Sequence, residues 1–133
     1  MTRAVFADSF YFIAVLSARD AAHERAIGLG RTLAGHFVTT DAVLLEVADA
    51  LCAPRDRGRT AAYLRALPRH PRMSVRPLDR DLWERGLALY ESRDDKDWSL
   101  TDCISFTVMQ EEGIEDALTS DLHFRQAGFR VLL

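Results

Sequence analysis

Short apolar segments alternate with longer amphipathic segments along the chain, and this alternation predicts its fold. The short segments are the predicted strands, at Ala4–Ala7, His36–Thr39, Ser74–Arg76, Ala117–Thr119 and Arg130–Leu132. Short apolar runs bounded by turn residues are typical of buried strands. Strands that are separated by helices indicate a parallel sheet with helices on both faces, so the expected class is α/β.

The amphipathic segments between these strands are predicted to be helices. They cover Phe10–Leu16, Ala21–Leu33, Ala42–Ala53, Thr60–Leu67, Leu82–Tyr90 and His123–Gln126, together with a helix that begins after Ser99. Pro54 is expected to stop the third of them, and Gly113 the helix after Ser99. The chain has 133 residues and shows no internal repeat or linker, so residues 1–133 are expected to form a single domain.

The composition is that of a folded protein rather than a disordered one, with 48% apolar and 28% charged residues. A formal net charge of −3 argues against binding of nucleic acid by charge alone. Charge is nevertheless uneven, because residues 55–76 hold seven arginines and one acid, whereas residues 91–121 are rich in Asp and Glu. This asymmetry predicts a surface with a basic side and an acidic side.

The sequence predicts a cytoplasmic protein that has no contact with a membrane. Asp8 interrupts the apolar segment near the N-terminus, which is therefore not a secretion signal. No stretch approaches the roughly 18 apolar residues that a membrane-spanning helix needs. Cys52 and Cys103 lie in apolar helical patterns and are expected to be buried thiols in a reducing compartment, not a disulfide or a zinc site.

Two acids follow directly after predicted strands. Asp8 comes after Ala4–Ala7, and Asp121 comes just after Ala117–Thr119. Ligands of open α/β sheets bind outside the carboxyl ends of the strands. Both carboxylates are therefore expected at the edge of the sheet where a site would form.

Two further acids lie in the first turns of predicted helices. At about 100° per residue around the helix axis, Glu46 lies roughly 40° from Ala50 and 60° from Val43, on the border of the apolar stripe. Asp102 has the Ser99-x-x-Asp102 spacing of a capping box, so it could serve only as a helix cap, or it could also belong to a site. Helix starts of this kind lie near the same edge of the sheet as the strand ends, so all four acids could converge.

Several carboxylates in one pocket repel one another and are costly to desolvate. A divalent cation with oxygen ligands offsets that cost, and Mg²⁺ binds through one or two carboxylates plus water and phosphate. Such a site suits phosphodiester hydrolysis by metal-activated water. Each acid also has an ordinary structural explanation as a turn residue, a helix cap or a solvated side chain, so the prediction rests on the four together.

Four stretches make the chain similar to a known family. They are FADSFYF, TTDAVLLEVADAL, DKDWSLTDCISF and LTSDLHFRQAGFRVLL. In these stretches, over nearly its full length, the chain resembles the PIN-domain ribonucleases, and most closely the VapC-like toxins of bacterial toxin–antitoxin pairs. The last two stretches carry most of the resemblance because they contain many fixed positions in order.

The resemblance implies a PIN-like three-layer α/β/α sandwich with a central, mainly parallel sheet. It also implies a Mg²⁺- or Mn²⁺-dependent endoribonuclease that hydrolyses RNA, is inhibited by a cognate antitoxin and forms a homodimer. By motif, the four acids that would bind metal and carry catalysis are Asp8, Glu46, Asp102 and Asp121. Ser9 and Thr119 match small hydroxyl positions that orient a carboxylate or a metal-held water.

Several residues and functions stay open at this point. Asp97 is an extra acid without an assigned place, His123 is interpreted as a surface or packing residue, and Trp98 as a cover for the core. The alternatives to a toxin are a housekeeping PIN-fold nuclease and a non-catalytic α/β binding module. A receiver-like phosphoryl acceptor or a dehalogenase-type phosphatase is disfavoured, because the sequence gives Asp8-Ser9-Phe10 rather than paired acids after the first strand.

Overall fold

Five parallel strands form the central sheet of the computed structural model, which describes residues 3–133. The strands are β1 (Ala4–Ala7), β2 (His36–Thr40), β3 (Met73–Arg76), β4 (Asp116–Leu118) and β5 (Arg130–Val131). Their order is β3-β2-β1-β4-β5, and all four neighbouring pairs are parallel. The α/β class and the five strands predicted from the sequence are confirmed, with ends that differ by a residue.

Among residues 3–133, seven α-helices connect and cover these strands. They are α1 (Ser9–Leu16), α2 (His23–Thr32), α3 (Asp41–Ala50), α4 (Pro54–Ala66), α5 (Arg80–Ser92), α6 (Leu100–Glu112) and α7 (Leu122–Gln126), with a 3₁₀ turn at Leu67–Arg69. Strand β2 lies on one side of β1 and β4 lies on the other, so the sheet has a switch point between β1 and β4. Within residues 3–133, no helix is both long enough and apolar enough to cross a membrane.

The core lies on both faces of the central strand. Phe6 of β1, Phe12 of α1 and Phe106 of α6 are fully buried, as is Phe124 of α7. The rings of Phe106 and Phe124 meet edge to face with centroids 4.9 Å apart, and Trp98 stands edge-on to Phe106 at 5.0 Å. Trp98 is itself 6% exposed, so its expected role as a cover for the core is confirmed.

Helices α5 and α6 pack closely at one position. A side chain at Gly86 would press into Ile104, whose Cα lies 3.3 Å from the place of an added Cβ. Gly113 ends α6 with a φ of +67°, in the left-handed region that glycine adopts without strain. The predicted end of this helix is therefore confirmed.

Two local predictions were wrong. Pro54 does not terminate a long helix; α3 already ends at Ala50, and Pro54 begins α4, because a proline at the first position lacks only an N–H that has no helical partner. Cys52 lies in the loop between these helices and is exposed, whereas Cys103 is buried as expected.

Candidate active site

Asp8 lies at the carboxyl end of β1, beside the switch point of the sheet. Its side chain is only 2% exposed, and Thr119 Oγ1 donates a hydrogen bond of 2.8 Å to Asp8 Oδ2. Burial raises the pKa of Asp8 from 3.8 to about 7, although the hydrogen bonds from Thr119 and the backbone of Ser9 oppose the rise. The charges of Asp102 and Glu46 raise it further, which places both carboxylates near Asp8.

Asp102 caps its own helix and faces the same space. The Asp102 N–H donates to Ser99 Oγ at 3.0 Å, and the Ser99 N–H donates to Asp102 Oδ2 at 3.3 Å, so the capping box suggested by the spacing is present. Burial, followed by the charge of Asp121, raises the pKa of Asp102, and a hydrogen bond with His123 opposes this. Asp102 is thus a cap and a member of the acidic group at once.

Asp121 and His123 sit together at the start of α7. Asp121 Oδ1 accepts from the His123 N–H at 2.9 Å, and the Asp121 N–H donates to Thr119 Oγ1 at 3.1 Å. His123 Nδ1 is 3.0 Å from Asp102 Oδ2 and 3.4 Å from Asp121 Oδ1. One ligand atom from each of Asp102, Asp121 and His123 lies within 4.8 Å of the other two. These three residues form the tightest part of the site.

Glu46 reaches the site from the middle of α3, and not from its first turn as expected from the sequence. It is half-buried, and burial raises the pKa of its carboxyl, with further contributions from the charges of Asp102 and Asp121. The nearby Ser9 hydroxyl opposes that rise. The position of Glu46 on the border of the apolar stripe therefore points its carboxylate at the other acids rather than into bulk solvent.

A single cleft of about 340 Å³ brings the four predicted acids together. Its charged and titratable lining consists of Asp8, Glu46, Asp97, Asp102, Asp121 and His123. Asp8 and Glu46 stand on the wall of this cleft, outside the tight group of Asp102, Asp121 and His123. The acids thus converge on one cleft but are not all equally close.

The donor set fits a hard divalent cation. The described residues that line the cleft supply five carboxylates and one imidazole, and no lysine or arginine is among them. The carboxylates of Asp8, Glu46 and Asp102 all have raised pKa values because they are buried beside one another. Oxygen-rich sites of this kind match hard divalent cations, which bind through carboxylates and water.

The aromatic core supports both elements that carry the tight group. Trp98 precedes the capping box, Phe106 lies one turn beyond Asp102, and Phe124 follows Asp121 by three residues. Because Phe106 is in edge-to-face contact with both Trp98 and Phe124, the start of α6 and the start of α7 are held together through the core.

The sequence does not predict the place of His123 and leaves Asp97 unassigned. His123, interpreted from the sequence as a surface or packing residue, is partly exposed, and its ring lies 3.0 Å from the carboxylate of Asp102. Asp97 is exposed and lines the cleft. The signal in the sequence is a short helix start in which Asp121 is the N-cap and its side chain accepts from the His123 N–H.

The seven arginines of residues 55–76 fall into two groups. Arg72 donates to the carbonyls of Leu33 and Gly35, and Arg76 pairs with Glu112 at 2.6 Å, so these two arginines hold the fold together. The other five are exposed on and after α4, at Arg55, Arg57, Arg59, Arg65 and Arg69. They lie outside the acidic cleft.

Comparison with known proteins gives a consistent result. A sequence model of the PIN domain matches residues 5–130. The 23S rRNA-specific endonuclease VapC20 of Mycobacterium tuberculosis is 30% identical over 125 residues, which are 94% of this chain and 95% of the relative. The crystal structure of VapC20, described as a sarcin–ricin loop cleaving toxin, aligns with a TM-score of 0.85 over the same shares of the two chains.

Two more distant structures share the fold. VapBC2 from Rickettsia felis, bound to a DNA fragment from its promoter, aligns with a TM-score of 0.66 at 8% identity over 97% of each chain. FitAcB from Neisseria gonorrhoeae aligns with a TM-score of 0.64 at 13% identity, over 97% of this chain and 96% of that one.

Proposed function

This chain belongs to the PIN domain family, and we propose that it is a metal-dependent endoribonuclease that acts as the toxin of a toxin–antitoxin pair. The observation that carries the proposal is the cleft in which Asp8, Glu46, Asp102 and Asp121 converge without a neutralising lysine or arginine among its described lining. The similarity to VapC20 supports it, since that relative is a ribonuclease and a toxin. The PIN-like α/β/α fold expected from the sequence is confirmed.

Asp102 and Asp121 are the residues that we assign first to a bound Mg²⁺ or Mn²⁺, with His123 beside them and Asp8 and Glu46 on the cleft wall. When bound, such a cation lowers the pKa of water and offsets the charge that develops on a phosphoryl group during in-line displacement. The protein prepares this site in advance, because Ser99 and the core rings fix Asp102 before any ligand arrives.

Glu46 is the residue that we assign to proton transfer. Burial raises the pKa of its carboxyl, which brings its basicity closer to neutral pH than that of an exposed glutamate. It can therefore accept the proton that leaves an attacking water. Asp8 has a different role, because the Thr119 hydrogen bond holds its carboxyl group at the carboxyl end of β1, where its ionised form attracts a cation.

RNA is the proposed substrate, and 23S rRNA is the first RNA to test because VapC20 is specific for it. The exposed arginines of α4 and the following turn offer contacts to phosphates, which supply affinity and register without reading sequence. Reversal of two of these charges should weaken RNA binding and flatten its dependence on salt.

The deciding experiment compares RNA cleavage by the wild type, Asp102→Asn and Asp94→Asn with Mg²⁺, with Mn²⁺ and with EDTA. Asp102→Asn keeps a side chain that can cap α6 but removes a charge from the tight group. Asp94→Asn removes the same charge from an exposed loop outside the cleft. We expect cleavage by the wild type and Asp94→Asn in either metal, and loss of about 100-fold or more in Asp102→Asn and in EDTA.

Two outcomes would contradict the proposal. Full cleavage in EDTA would remove the metal from the mechanism. A folded chain that cuts no RNA, and whose stability does not respond to Mn²⁺, would favour the non-catalytic binding module.

A cognate antitoxin, a homodimer and a cytoplasmic location complete the proposal. Three exposed apolar side chains are adjacent in sequence to acids or hydroxyls of the site, at Phe10, Leu45 and Leu122. A basic, apolar segment of an antitoxin would complement such a surface. Growth arrest on expression in bacteria, relieved by Asp102→Asn and by the product of an adjacent gene, would support toxin status. Light scattering tests the homodimer, which should have a mass of about twice 15.0 kDa.

A further inference from the structure

A second, smaller pocket opens beside the acidic cleft. It has a volume of about 170 Å³, and Ser9, Phe10 and Ile13 of α1 line both spaces. One face of α1 therefore separates the two. An RNA strand whose scissile phosphate lies at the acids brings a group of the neighbouring nucleotide to this pocket.

The lining of the pocket is apolar on its walls and polar at two points. Phe10, Ile13, Ala22 and Leu133 supply apolar surface, and Phe10 is 46% exposed. Asp20 and Ser120 supply the polar atoms. No lysine or arginine is among the described residues that line it, and the carboxylate of Asp20 repels a phosphate. The pocket thus suits a flat group with apolar faces and a polar edge, which is the chemistry of a nucleobase rather than of the RNA backbone.

The carboxylate of Asp20 is held in place as an acceptor. Its Oδ1 accepts from the Ala22 N–H at 2.8 Å, and its Oδ2 has no hydrogen-bond or ion-pair partner among residues 3–133. A free acceptor oxygen pairs with an N–H donor. Adenine, cytosine and guanine carry an exocyclic amino group with two N–H donors, whereas the single Watson–Crick-edge donor of uracil, its N3–H, lies between two carbonyl oxygens that a carboxylate repels.

We propose that this pocket binds one unpaired base of the RNA next to the cut phosphodiester, and that it selects a base with an exocyclic amino group. The inference rests on the proposed ribonuclease activity. Phe10 provides a stacking surface, and Asp20 accepts from the amino group. Recognition of splayed bases on an aromatic side chain is the usual way in which proteins read single-stranded RNA.

The test is cleavage of a pool of RNA hairpins with randomised loops, in Mn²⁺, with sequencing of the products. The wild type should cut loops with an amino-bearing base at one fixed position about tenfold or more over uracil, since a hydrogen bond to a charged group discriminates by that much. Ala22→Phe fills the pocket without touching the acidic cleft and should remove the preference. Ala88→Phe, on the exposed surface of α5, is the matched control and should leave it unchanged.

Asp20→Asn is the second variant. Its amide oxygen can still accept from the Ala22 N–H, so its NH₂ group replaces the free acceptor with a donor. The preference should then shift towards uracil, and circular dichroism should show an unchanged fold. Phe10→Ala should weaken binding of the preferred hairpin by about 5- to 150-fold.

Each contrary result has a distinct meaning. Cleavage with the same base preference in the wild type, Ala22→Phe and Asp20→Asn would overturn the inference and leave the ribonuclease proposal standing. A pool that the wild type does not cut would overturn both. If the two variants keep the wild-type base preference but escape inhibition by the antitoxin, the pocket binds a protein segment and the inference is wrong.

Discussion

Replacement of Asp8 by asparagine should stabilise the metal-free protein above neutral pH. Asp8 is almost completely buried, and its pKa is raised from 3.8 to about 7. The folded state therefore binds a proton more tightly than the unfolded state does. The favourable contribution is complete below pH 3.8 and is lost as the pH rises through 7. Asparagine fills the same space and carries no charge at any pH.

The size of the effect follows from the difference between the two pKa values. Relative to a group that does not titrate, the difference between the folded and unfolded pKa values of Asp8 lowers the stability of the wild type by about 4 kcal/mol at pH 8 and by about 2 kcal/mol at pH 5. The stability advantage of Asp8→Asn should thus widen by about 2 to 3 kcal/mol between these pH values. The Thr119 hydroxyl can still donate to the amide oxygen, so its hydrogen bond does not reverse the sign.

Urea denaturation in EDTA, followed by circular dichroism at pH 5 and pH 8, measures this widening. Asp94→Asn is the control, because it removes an exposed carboxylate and should show no comparable pH dependence. An equal stability advantage of Asp8→Asn at both pH values, or a variant that is less stable than the wild type at pH 8, would contradict this prediction. Either result would show that burial of the Asp8 carboxylate does not destabilise the folded protein.

Three other predictions concern stability. In a urea titration, Gly86→Ala should destabilise the protein by about 1 to 3 kcal/mol, because the added Cβ presses into Ile104. Gly58→Ala is the matched control: Gly58 lies in α4 with open space around it, so the change should stabilise the protein by up to about 1 kcal/mol. Thr119→Val should lower the free energy of unfolding by about 1 to 3 kcal/mol, because it leaves the buried Asp8 carboxylate without its hydrogen-bond donor. Thr119→Ser keeps the hydroxyl and should unfold near the wild-type midpoint. Mn²⁺ at 100 times its dissociation constant should raise the free energy of unfolding by about 2.7 kcal/mol in a thermal or urea titration, and an unchanged midpoint would argue against a metal site.

The positions of Asp8, Asp102 and Asp121 could be predicted because they depend on short-range rules. Asp8 and Asp121 follow strands of a parallel sheet, and the carboxyl ends of such strands share an edge. Asp102 carries a capping-box spacing that fixes its helix start. Each of these facts is local in sequence, and the parallel topology joins them.

Other features depend on packing that a single sequence does not reveal. The ring of His123 reaches Asp102 only because α7 docks against the start of α6 through Phe124 and Phe106. Pro54 fits a helix stop as well as a helix start, and only the exit of the chain from α3 decides between them. Cys52 has apolar neighbours in sequence, yet the loop carries it to the surface.

The hydrogen bond between Thr119 and Asp8 joins residues that are 111 positions apart. The cleft cannot exist until the two ends of that span have met, and contacts of such long range are slow to form. Recovery of Mn²⁺ affinity after dilution from denaturant should therefore require the pairing of β1 with β4, which brings these residues together. Binding of Mn²⁺ thus reports that the two ends of the chain have come together, which a helix signal alone does not.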